Sequence, residues 1–194
     1  MNRLIQFFAA ALASLMSLSA CGQTEHKTSD AMQQNNTDKK VLVTYFSATG
    51  TTRAVAQRIA KAAHADIFEI APAQAYTDAD LDWTNGQSRT TVEMKDPASR
   101  PALARTCDDI AKYDIVYIGF PIWWYVAPHI INSFVEAHNL KDKVLVPFAT
   151  SGGSGIEGCV KPLREAYPDL DWRDGKLLNR ASDATIAAFV AENK

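Results

Sequence analysis

The chain has 194 residues, 47% of them hydrophobic and 22% charged, with a formal net charge of −2. This composition suits one ordinary globular domain, and the lack of a Lys/Arg run excludes a nucleic-acid surface built on a basic stripe. Three cysteines are too few for a disulfide framework.

The first element in chain order is a targeting pattern. Met1-Asn2-Arg3 carries one side-chain positive charge, Leu4 to Leu18 is mostly apolar, and Ser19-Ala20-Cys21 follows. These are the three regions of a secretory signal, and the apolar run is too short to span a bilayer comfortably. Leu18 to Cys21 reads L-S-A-C and resembles the bacterial lipobox, which implies that Cys21 is acylated and becomes the mature N-terminus. Gly22 follows in place of aspartate, so the resemblance points to the outer membrane, on the periplasmic side of a bacterial envelope. Gly22 to Lys40 is polar and rich in Gln, Asn, Thr, Asp and Lys. Such a segment buries too little apolar surface to offset its ordering entropy and reads as a tether. The expected organisation is a signal peptide over 1–20, a tether over 21–40 and a folded domain over 41–194.

From Val41 onward, apolar runs alternate with helical stretches. Val41 to Phe46 reads as a buried strand, and Arg53 to Ala63 as a helix with Val55, Ile59 and Ala62-Ala63 on one face. Ile67 to Ile70, Ile115 to Phe120 and Val144 to Ala149 read as further strands. His129 to His138, Glu157 to Tyr167 and Ala181 to Asn193 read as helices. Strands of four to six residues alternating with helices predict a parallel sheet covered on both faces, an α/β doubly wound fold. In such a sheet, ligands bind outside the carboxyl ends of the strands.

Three successive loops at that edge carry unusual chemistry. S-A-T-G-T-T (Ser47, Ala48, Thr49, Gly50, Thr51, Thr52) joins the first strand to its helix. Free N–H groups at a helix start, the helix dipole and several hydroxyls would converge there, which suits a phosphate. A helix merely capped by Ser or Thr explains the same residues. The loop is neither G-x-x-x-x-G-K-[ST] nor G-x-G-x-x-G. The second loop, G-F-P-I-W-W-Y, holds Pro121, Ile122, Trp123, Trp124 and Tyr125. The third, T-S-G-G-S-G, holds Thr150, Ser151, Gly152, Gly153 and Ser154. If the second loop is extended, Trp123 and Trp124 point to opposite faces, so one of them belongs to the core.

Together these loops make residues 41–194 resemble the flavodoxin-like proteins, close to the short flavodoxin family that includes NAD(P)H-dependent FMN reductases. The resemblance implies a five-stranded parallel sheet in the order 2-1-3-4-5, with flavin mononucleotide (FMN) over the first and third strands. The phosphate would lie on the N–H groups of Thr49 to Thr52, helped by the hydroxyls of Ser47, Thr49, Thr51 and Thr52. The loop holds no lysine or arginine, and Arg53, read as the first helical residue, is expected to point to solvent. Pro121 to Tyr125 would form the platform for the flavin ring, whose flat surface aromatic side chains match. Thr150 to Ser154 would meet its pyrimidine edge, where main-chain donors stabilise the charge of the reduced ring.

Other constellations are weaker. Asp78, Asp80 and Asp82 mimic the start of a calcium loop, but Trp83 stands where glycine is required and Arg89 where the bidentate glutamate belongs. The histidines show no metal-ligand spacing. Tyr76 to Arg105 is a long polar crossover containing Trp83, either a lid over the site or an ordinary crossover with a surface tryptophan. Cys107 and Cys159 are read as structural. The functional expectation is an FMN oxidoreductase passing electrons from NAD(P)H to a quinone-like acceptor. The alternatives are a non-enzymatic flavodoxin electron carrier, and an exported lipoprotein that kept the fold and lost the cofactor. Strongly acidic surfaces suit electron carriers that dock basic proteins; the charge here is weakly acidic, which favours the reductase.

Overall fold

A computed structural model describes residues 39–194. The signal peptide, Cys21 and nearly all of the tether lie outside the described residues. Five strands alternate with helices: β1 (Val41–Tyr45), α1 (Thr51–Ala63), β2 (Asp66–Glu69), α2 (Arg89–Lys95), β3 (Ile115–Pro121), α3 (His129–Ala137), β4 (Val144–Thr150), α4 (Glu157–Ala166) and β5 (Asp171–Trp172). The first four strands, α1, α3 and α4 stand where the apolar runs predict them, whereas α2 and β5 follow no run read in the sequence. A sixth short strand, β6 (Lys176–Leu177), precedes α5 (Asp183–Glu192).

The sheet is parallel, in the order β2-β1-β3-β4-β5. Its fifth position is shared. β5 pairs with Val144 and Leu145 at the start of β4, and β6 pairs with Phe148 and Ala149 near its end. Between them the chain passes at Gly175, where an added Cβ would lie 2.7 Å from Ile156 Cδ1 and 2.9 Å from Val160 Cγ2. No side chain fits there, and the strand is interrupted.

Alternate residues of the central strands feed two cores, one on each face of the sheet. Leu42, Val116, Ile118 and Leu145 pack with Ile130 and Phe134 of α3 and Val160 and Leu163 of α4. Val43, Ile115, Tyr117 and Val146 pack with Val55 and Ile59 of α1 and Ile186 and Phe189 of α5. This period-two division of near-continuous apolar strands is what burial on both faces requires. Gly119 and Phe148 are register partners on β3 and β4. A Cβ at 119 would come 2.1 Å from the Phe148 ring, so the aromatic side chain uses the space the glycine leaves. The parallel strands deliver all three unusual loops to one edge.

Candidate functional site

The first loop begins where the Phe46 N–H donates to the Gly119 carbonyl (2.9 Å). Ser47 Oγ accepts from the Gly50 N–H (3.1 Å), closing a turn in which Gly50 adopts φ +88°, a left-handed conformation that suits glycine. Helix α1 starts at Thr51 and makes no side-chain cap. Its first helical bond runs from Ala54 N to the Gly50 carbonyl (3.0 Å), which leaves the N–H groups of Thr51, Thr52 and Arg53 without an intrahelical acceptor. The hydroxyls do not fill that role. Thr49 Oγ1 and Thr51 Oγ1 are exposed and lie 3.4 Å apart. Thr52 is buried, its hydroxyl 2.8 Å from that of Thr150, which ties the first loop to the third. Ala48 packs against the core.

Arg53 differs from expectation. It is the third helical residue, and its guanidinium pairs with Glu69 Oε1 at 2.6 Å across the β1–β2 edge. The Tyr45 phenol beside them is pushed above its ordinary pKa, chiefly by burial.

The second loop continues β3, with the Ile122 N–H donating to the Thr150 carbonyl (2.8 Å). It then closes a two-residue hairpin: Trp123 and Val126 exchange both N–H···O bonds at 3.0 Å. Trp124 (φ +47°) and Tyr125 (φ +69°) at its tip are left-handed. Positions of this kind normally hold Asn or Gly, and each such residue costs about 1–3 kcal/mol. The tip is braced from α4. Cys159 Sγ donates to the Tyr125 carbonyl (3.4 Å), and a Cβ at Gly158 would lie 3.1 Å from the same oxygen. The tryptophan ambiguity is also resolved: Trp123 packs edge-on against Phe46 (5.3 Å between ring centroids) and Tyr76 (5.4 Å). Trp124 and Tyr125 are exposed.

The third loop is held by its own side chains and by a distant one. Ser151 Oγ accepts from the N–H groups of Gly153 (3.1 Å) and Ser154 (2.8 Å). Asn179 clamps the Ser151 backbone from both sides, its Oδ1 accepting the Ser151 N–H at 2.7 Å and its amide donating to the Ser151 carbonyl. Sequence reasoning missed Asn179, which lies in the stretch after β6 and carries no local signature.

The crossover between β2 and β3 contributes to the same cleft as the second and third loops. Leu81, Trp83 and Thr90 line an open cleft of about 470 Å³ together with Ile122, Trp123, Trp124, Tyr125, Gly152 and Ser154. Two of the three aspartates that mimic a calcium loop, Asp80 and Asp82, serve as turn acceptors. Asp80 accepts from the Thr77 N–H and hydroxyl, and Asp82 from those of Thr84. These bonds hold both carboxyls below the usual range. Thr90 donates through its hydroxyl and N–H to the Asp80 carbonyl (2.6 and 3.2 Å). Behind Trp123, the Tyr76 phenol donates to Glu93 Oε2 (2.6 Å), Arg89 Nε donates to Glu93 Oε1 (2.7 Å), and the Arg89 guanidinium lies 4.1 Å from the Tyr76 ring centroid. Burial and the Glu93 carboxylate push the Tyr76 pKa far up, so this phenol keeps its proton. No local pattern of residues signals this cluster.

Cys107 and Cys159 are buried and unpaired. Burial pushes the Cys159 thiol up to about 12. His138 is satisfied on both ring nitrogens, by the Cys107 N–H (2.8 Å) and the Phe134 carbonyl (2.7 Å).

The arrangement therefore offers, along one edge, three free N–H groups beside exposed hydroxyls, an aromatic hairpin and a pinned Ser/Gly loop. Free N–H groups of this kind suit an anion and an aromatic-lined cleft suits a flat ring, so the residues present fit a flavin nucleotide. Comparison with known proteins agrees with the fold. The family described as flavodoxin matches residues 40–193. A Bacteroides eggerthii protein provisionally described as a flavoprotein is 52% identical, with 80% of this chain and 98% of that one covered and a TM-score of 0.79. A similarly described protein from Bacteroides uniformis is 49% identical over 79% and 98%, at 0.77. A Lactobacillus acidophilus flavoprotein solved in complex with FMN is 21% identical over 76% and 98%, at 0.60, a likeness of fold. No curated protein matches the chain.

Proposed function

The chain belongs to the flavodoxin family, and on that premise we propose that it binds FMN and acts as an oxidoreductase, taking electrons from NAD(P)H and passing them to a quinone-like acceptor. The observation that carries the reading is the amino end of α1. It has free N–H groups and exposed hydroxyls, yet makes no side-chain cap. A flavin nucleotide supplies the phosphate for that end, and the redox chemistry of its ring resides in the cofactor. The protein's part is positional. The N–H groups of Thr51 to Arg53, with the hydroxyls of Thr49 and Thr51, hold the phosphate through charge-assisted bonds. The braced hairpin presents Trp124 and Tyr125 to the ring, and the pinned third loop presents Gly152 and Ser154 to its edge.

Titration of the full chain with FMN and riboflavin tests the phosphate assignment. FMN should bind more tightly, since riboflavin leaves the loop's donors unused; equal affinities would overturn it. Nicotinamide nucleotide should then bleach the bound flavin and a quinone restore its colour. A chain that binds FMN but resists direct reduction by NAD(P)H would instead be an electron carrier. We also propose that Cys21 is acylated and anchors the protein to a bacterial membrane, so Cys21→Ala should release it to the periplasmic fraction or leave an uncleaved precursor.

A further inference from the structure

The crossover brings one side chain to the cleft that the cofactor assignment leaves without a role. Trp83 lines the same cleft as Trp124 and Tyr125, yet it is 74% exposed. Trp124 and Tyr125 on the same cleft are exposed as well, and exposed apolar side chains gathered around one cleft, unlike a lone surface tryptophan, mark a ligand groove. The loop that carries Trp83 is built to hold it there. The Asp80 carboxylate closes a turn with Thr77 just before it, the Asp82 carboxylate bonds Thr84 across it, and Thr90 ties the loop back to α2 through the Asp80 carbonyl.

The cleft is also uncharged throughout. Arg53 and Arg89, on the helices that flank the site, are both committed to glutamates, Glu69 and Glu93. The carboxylates nearest Trp83 in sequence are kept ionised by their turn bonds. Such a cleft offers an anionic ring no partner and a neutral ring a flat apolar face.

We propose that Trp83 is the stacking platform for the electron acceptor, and that the acceptor is a planar, uncharged quinone. The inference rests on the flavin reading above and extends it to a second molecule in the same cleft. With FMN bound, the reduced cofactor would supply the hydride, and so both electrons, and water the proton that together convert the quinone into the departing hydroquinone; the part of Trp83 is to hold the quinone ring.

The test uses the FMN-loaded full chain labelled with 5-fluorotryptophan, with the Trp83 resonance identified by its loss in Trp83→Phe. Menadione should shift that resonance saturably, whereas naphthoquinone sulfonate, of similar shape but anionic, should not. In stopped flow, reoxidation of the dithionite-reduced protein by menadione should need about tenfold more quinone for half-saturation in Trp83→Ala, the size of one lost aromatic stack. The limiting rate and the FMN affinity should be unchanged, and Trp83→Phe should restore most of the loss. A chain that takes up no FMN would overturn the flavin reading, and this inference with it. An FMN-loaded chain whose Trp83 resonance ignores menadione, or whose half-saturation is unchanged in Trp83→Ala, would overturn the platform alone. A sulfonate that binds as well as menadione would overturn the selection for an uncharged ring.

Discussion

At the amino end of α5, Ser182 turns its hydroxyl onto the Thr185 N–H at 3.1 Å, and at the amino end of α2, Ser88 does the same for Thr91 at 3.4 Å. At the amino end of α1, Ser47, Thr49, Thr51 and Thr52 all stand within reach of the first turn, yet Gly50 occupies the cap position and no side chain caps the helix. Ser47 bonds within its own turn, Thr52 bonds to the third loop, and the remaining two face outward. The same residue types thus complete one kind of helix end and hold another open. Hydroxyl content alone does not distinguish a structural cap from a ligand site; where each hydroxyl points does.

The sharpest way to break this contrast is Thr49→Val combined with Thr51→Val. Each hydrogen bond lost to a charged group should cost about 1.5–3 kcal/mol of FMN binding, measured by titration, while the melting temperature of the cofactor-free protein stays nearly constant. A collapse of that melting temperature with FMN affinity spared would place α1 in the same class as α5. Gly50→Ala should have the next largest effect. No atom lies within 4 Å of the added Cβ, so the cost is conformational: holding φ +88° without glycine, about 1–2 kcal/mol, seen as a lower denaturant midpoint together with weaker FMN binding. Ser182→Ala should cost about 1 kcal/mol of stability, the usual loss of a serine cap, and leave the FMN titration unmoved. The smallest effect concerns the brace under the hairpin. A thiol whose pKa is pushed up to about 12 stays protonated across the physiological range, and only the thiolate reacts. Cys159 should therefore resist alkylation in the native protein and label on unfolding. Rapid native labelling would show that the hairpin tip lifts away from α4.

Much of the fold was legible because it is periodic. Each central strand is an apolar run, and α1 and α3 carry apolar residues at helical spacing, so β1, β3, β4, α1 and α3 lie within a residue or two of the positions their patterns predict. The last strand is different. β5 and β6 are two residues each, too short for alternation to register, and the break at Gly175 depends on Ile156 and Val160 above it. Arg53 reads as a helix-surface cation from its neighbours, and its partner Glu69 becomes adjacent only when β2 pairs beside β1.

By itself the sequence determined the alternation of strand and helix, the doubly wound class, and the gathering of three chemically distinct loops at the carboxyl edge. These follow from local spacing and from the way a parallel sheet must be connected. Only the tertiary structure decided which tryptophan turns inward, since the left-handed tip at Trp124 and Tyr125 depends on Cys159 and Gly158, over thirty residues away. It alone joined Thr52 to Thr150, Asn179 to Ser151, and Trp83 to the cleft that the hairpin lines. Each of these contacts links residues far apart in the chain. Whether α1 is capped by a side chain, and whether Trp83 lies on the cleft, is set by hydrogen-bond geometry and packing between loops, and no local pattern of residues encodes those.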